Sequence, residues 1–168
     1  MDDSLIRQSL LGQYRAGLEM LGRSVELCPE ALWFSNEYKN RFWHVAYHAV
    51  FYTHFYVQQT EAEFKAWSRH KPNSNYLGPQ PWAKDEPFQL PEPYSKQDVQ
   101  EYLSLGRAEV EQKVPVTRLE EGSGFSWLPF TKLETHIYNI RHLQHHTGQL
   151  MERLRTAADV GVGWVGTR

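Results

Sequence analysis

One cysteine, Cys28, in 168 residues leaves no partner for an internal disulfide and fits a reducing compartment. It stands before Pro29, with no histidine or basic neighbour to lower its pKa, so it reads as a buried thiol and not a nucleophile. Clustered positive charge is missing too. Eighteen basic against twenty acidic residues give a formal charge of -2 with no Lys/Arg run, which excludes the electrostatic footprint of a nucleic-acid binder or of a protein held on an anionic membrane. No apolar run approaches the ~20 residues of a membrane span, and the start MDDSLIRQSLL is acidic where a secretory signal would be basic. The expectation is a cytoplasmic protein with neither membrane nor nucleic acid as partner, folded as one domain over residues 1–168.

Aromatic residues and histidine are abundant: 14% Phe, Trp and Tyr, including six Trp and nine Tyr, beside eight His. Such an interior must satisfy Tyr hydroxyls and Trp N–H groups, which points to a core with polar features and a lined pocket.

The chain divides by periodicity. From Asp3 to about Leu27, Leu5, Ile6, Leu10, Leu11, Tyr14, Leu18, Leu21 and Val25 recur mostly at spacings of three and four, the stripe of an amphipathic helix ended by Cys28-Pro29. Residues from about Glu37 to Trp67 contain no Gly or Pro and are apolar nearly all round, so a second, buried helix is expected there, with length deciding against a strand. Six of the nine prolines fall in 71–93, which cannot form a regular element. This loop is either a wall for a pocket, through Tyr76, Trp82 and Phe88, or a surface crossover. Ser95-Lys96-Gln97-Asp98 reads as a capping box opening a third helix to about Lys113, and Thr131-Lys132-Leu133-Glu134 as another opening a fourth to about Ala157. The tail 158–168 is docked or flexible, with Trp164 the residue that would dock it. The expected fold class is all-α, a four-helix bundle with a long Pro-rich loop between its second and third helices.

Within "RHLQHHTGQL", residues 141–150, His142 and His146 are four apart and leave one face of a helix. The second helix carries His44, His48 and His54 in its most apolar stretch, where an imidazole must be hydrogen-bonded or coordinated. The pair alone fits a polar core seam as well as a metal site; a third histidine from a neighbouring helix would complete a three-histidine set with an open position. Two sharper motifs fail. Leu143 stands where H-E-x-x-H needs Glu, and Asn139 stands where a di-iron Glu-x-x-His needs its carboxylate.

"FWHVAYHAVFYTHFYV" and, after a variable middle, "HIYNIRHLQHHTGQL" resemble the DinB-like (DinB/YfiT-like) metalloenzyme superfamily. The matching positions are His142, His146, Gly148 and Gln149 in the last helix, and His48 followed by Phe55 and Tyr56 in the second. The resemblance implies that His48, His142 and His146 bind one divalent metal ion, zinc or nickel, with His44 as the competing ligand. His145 reads as a core residue or one supporting the ligands, and Tyr52, Tyr138 and Gln149 have offsets that bring them near the site. His54, His70 and His136 read as surface or packing residues.

What the resemblance implies for function is a metal-dependent enzyme of the thiol S-transferase or isomerase type, acting on a small-molecule substrate with a low-molecular-weight thiol, and pairing as a homodimer. It assigns no catalytic residue beyond the ligands. The alternatives are a non-enzymatic metal-binding stress-response bundle, a metal-assisted hydrolase, and a polar histidine core without metal.

Overall fold

The computed structural model describes residues 3–83 and 87–166. Among them are five α-helices and no strand, the only β-type pairing being an isolated bridge between Gly122 and Thr131. No helix there is long and apolar enough to cross a membrane.

Helix α1 (Asp3–Leu27) follows the predicted stripe, burying Leu10, Tyr14, Leu18, Leu21 and Val25. A single turn, α2 (Glu30–Trp33), comes next. Helix α3 is Phe42–Tyr56, half the length expected for 37–67. Both of its ends are set by other parts of the chain. Before it, residues 36–40 are bent and held down by Arg153, which donates to the Asn40 carbonyl at 2.8 Å and lies 4.4 Å from the Tyr38 ring centre. After it, the Gln58 amide donates to the His54 carbonyl, and the buried Lys132 ammonium donates to the Gln58 carbonyl at 2.7 Å. A cation at that position suits the negative end of the helix dipole.

Helix α4 (Lys96–Lys113) opens on the predicted capping box: the Asp98 amide donates to Ser95 Oγ and the Ser95 amide to the Asp98 carboxylate. Helix α5 (Lys132–Ala158) opens with the Glu134 amide donating to Thr131 Oγ1 at 3.2 Å. It ends where Asp159 turns left-handed, with φ 54°.

Helix α5 packs on α1 and α3, and α4 packs on the same two helices from the other side. Gly17 lets α1 approach α5 closely, since a Cβ there would stand 2.9 Å from Leu143 Cδ2. Between α3 and α4 the described residues form one 3-10 turn, Glu61–Glu63, and otherwise irregular backbone. Two of this segment's aromatics are structural: Trp67 stacks on Tyr102 at 4.9 Å, and Tyr94 on Tyr47 at 4.4 Å. The described part of the tail, to residue 166, is docked, but not by Trp164. That ring is 75% exposed, while Val162 and Val165 are buried on either side of it.

Candidate metal centre

Helix α3 presents His48 to the face of α5 that carries His142 and His146. His48 Nε2 lies 3.0 Å from His142 Nε2, and His146 Nε2 lies 3.2 Å from the same atom. Donor nitrogens at about 2.0 Å from a tetrahedral zinc are about 3.3 Å apart, so this spacing suits one ion. Among the described residues these are the three side chains of metal-ligating type whose donor atoms converge.

The far sides of the His48 and His146 rings explain why the inner nitrogens are short of partners. His48 Nδ1 donates to the Asn75 carbonyl at 2.7 Å, and His146 Nδ1 donates to Gln149 Oε1 at 2.9 Å. A neutral imidazole with its proton on Nδ1 has only a lone pair on Nε2. Two lone pairs therefore face His142 Nε2, whose one proton can satisfy only one of them. A cation satisfies all three, and this donor set fits a divalent ion of intermediate softness.

Electrostatics favours the ligating form. Burial, followed by the nearby His142 and His146 rings, lowers the His48 pKa well below its ordinary value. Burial, followed by the His146 and His145 rings, pushes His142 down to about 3, and burial lowers His146. Neutral imidazole is what a metal requires. The His142 ring is flanked by Tyr52 at 5.4 Å and Tyr138 at 6.5 Å, while its Nδ1 is buried without a hydrogen-bond partner among the described residues.

His48 and His142 lie on the wall of a cavity of about 740 Å³, and His146 sits behind them. Tyr76 and Trp82 from the Pro-rich segment line the cavity; Phe88 does not. No family profile, curated protein or solved structure matches the chain. The chemistry of the site therefore rests on its own geometry.

The remaining histidines separate from the three. His44 is buried one turn before His48 against Trp43, its ring nitrogens lacking a well-formed hydrogen bond, and burial pushes its pKa down to about 4. It does not reach the cluster. His145 is exposed and not in the core, but accepts from Gln149 Nε2 at 3.1 Å and so steadies the side chain that holds His146. His54 and His136 are buried, with partners Tyr102 and with Tyr14 and Thr117, and His70 bonds Tyr47. All three pack, and none is a free surface residue.

Sequence reasoning missed three contributors. Asn75 acts through its backbone carbonyl, which leaves no residue-type signal. Trp127 and Glu61 reach the cavity from the loop between α4 and α5 and from the turn after α3, both outside the two histidine stretches.

Proposed function

We propose that the chain is a DinB-like four-helix bundle, formed by α1, α3, α4 and α5, whose His48, His142 and His146 hold one divalent ion, zinc or nickel. We propose further that it is an enzyme of the thiol S-transferase or isomerase type. The observation that carries this is the convergence of three Nε2 atoms on the wall of a large cavity: two of the three residues face space that a small molecule can enter. An ion that only braced two helices would be closed off by protein ligands; an open position beside a cavity suits catalysis.

Bound there, a divalent ion supplies Lewis acidity, favouring the deprotonated form of a coordinating thiol or water. The chain's own residues do the rest. The Asn75 carbonyl and Gln149 fix ring orientation and keep each proton on Nδ1. Tyr52 and Tyr138 pack beside His142 and restrict water there. Burial pushes the Tyr52 hydroxyl up to about 12, so it stays a neutral hydrogen-bonding group on the cavity wall. The cavity wall is largely aromatic, which suits an apolar electrophile as the thiol's partner.

The test is metal content by mass spectrometry on protein purified without chelator. Near-stoichiometric metal is expected in the wild type and in His44→Ala, and its loss in His48→Ala, His142→Ala and His146→Ala, with circular dichroism confirming that each variant is folded. A loaded wild type should then outperform the ligand variants across a panel of thiols and electrophiles. Absence of metal after reconstitution with zinc, nickel or manganese would sink the reading.

A further inference from the structure

The cavity has a second chemical character besides the histidines. Its wall along α3 continues from His48 through Tyr52 and Phe55 to Tyr56, at the helix end. Phe55 lies about 10 Å along the axis from His48, at seven residues of helical rise. At that far end Trp127 stacks on Phe55 with centres 6.1 Å apart and planes at 9°, and Tyr138 meets Tyr56 edge to face at 5.6 Å. Just past the end of α3 stands Glu61, an exposed carboxylate on the cavity rim. Among the described residues it has no ion-pair partner, and no lysine or arginine lines the cavity.

Aromatic faces carry negative potential, and a box of them attracts a cation whose hydration is weak enough to be given up. A primary ammonium or a guanidinium would lose hydrogen bonds to water that carbon rings cannot replace. A quaternary or methylated ammonium has few to lose. An uncompensated carboxylate beside the box adds attraction for the same charge and repels anions.

We infer that the cavity binds small molecules bearing an alkylated ammonium group, seated on the cavity side of Phe55, Tyr56 and Trp127, which are backed by the buried Phe125 ring, and at the rim that carries Glu61, with the reacting end of the molecule toward His48 and His142. This names the substrate class of the proposed metal site and so rests on that reading, but the cation box itself needs no metal.

The experiment uses choline and its neutral carbon isostere, in which a tert-butyl group replaces the trimethylammonium, titrated against the full chain with tryptophan fluorescence and ligand-observed NMR. Wild type, Glu61→Gln and Trp127→Ala are compared, with metal content measured on the same samples. Glu61 is exposed and Trp127 is 50% exposed, so neither variant should disturb folding. The expected result is choline binding about tenfold tighter than the isostere. That preference should shrink several-fold in each variant while isostere binding changes little in Glu61→Gln. Equal affinity for the two probes, binding of neither, or an unchanged preference in both variants overturns the inference. Metal present without cation preference removes this inference alone; cation preference in protein that takes up no metal removes the metal reading alone.

Discussion

Gln149 stands at the hinge between a surface residue and the centre. Its Oε1 accepts from His146 Nδ1 at 2.9 Å, and its amide nitrogen donates to His145 at 3.1 Å, so the side chain is held at both ends. Removing it frees the His146 ring to rotate and to place its proton on either nitrogen. Loss of such a supporting partner lowers metal affinity about 10- to 100-fold. We expect Gln149→Ala to bind zinc that much more weakly in a competitive chelator titration, with helicity unchanged because the residue is exposed. Equal affinity would mean that packing by Tyr52 and Tyr138 suffices to orient the rings. His136 makes a separate prediction. It is fully buried between Tyr14 and Thr117, and burial, then the Lys132 charge, push its pKa down to about 3. Its folded pKa lies below the unfolded value near 6.5, so the unfolded chain takes the proton first. The stability tied to its neutral form is full above that unfolded value and is lost as pH falls through the window toward 3, at about 1.4 kcal/mol per pH unit. Unfolding free energies from urea titrations at pH 7 and pH 5 should therefore differ by about 2 kcal/mol more in the wild type than in His136→Gln. Parallel pH profiles would show that another buried group dominates.

At the scale of elements, α3 depends on a turn distant from it in sequence. Gly124 has φ 80°, and a Cβ added there would come 2.1 Å from the Gln59 carbonyl oxygen and 2.8 Å from Thr60 Cα. Both are backbone atoms that cannot swing aside. The same turn accepts the Glu61 amide through the Gly124 carbonyl at 3.0 Å, and so fixes the rim of the cavity. Gly124→Ala should lower stability by more than about 2 kcal/mol, by strain at positive φ plus the collision. Gly122→Ala, which would meet nothing within 4 Å, should be nearly silent in the same urea titration. This dependence also explains what could be read from the sequence. Helices α1, α4 and α5 announced themselves by local chemistry: a stripe at helical spacing, Ser95 paired with Asp98, and Thr131 capping Glu134. Helix α3 is apolar on all sides, so its pattern held no marker for where it stops; Arg153, Lys132 and Gly124 decide that from elsewhere in the chain. The shared face of His142 and His146 was legible because four residues make one turn. That His48 and not His44 completes the triangle follows from how far along its axis α3 is set against α5, since the two histidines share a face one turn apart and only packing fixes that offset.

For the molecule as a whole, the centre joins two helices, α3 and α5, that meet nowhere near each other in sequence. An ion bound to the folded chain and not to the unfolded one adds RT ln(1 + [M]/Kd), about 2.7 kcal/mol when free metal stands at 100 times Kd. For a domain of this size each kcal/mol moves Tm by roughly 2–4 °C, so zinc or nickel should raise the wild-type Tm by about 5–10 °C in a calorimetric scan, and a chelator should reverse it. His142→Ala removes the ring that both other nitrogens face. Its metal-dependent shift should vanish, while its metal-free Tm should fall by less than a core truncation would cost, because the substitution also dissolves a cluster of lone pairs with too few protons between them. A full shift in His142→Ala would place the metal elsewhere, with exposed His145 the first residue to replace. Abolition of the shift in His142→Ala, His48→Ala and His146→Ala, against its persistence in His145→Ala, would tie the stabilisation to the link across α3 and α5.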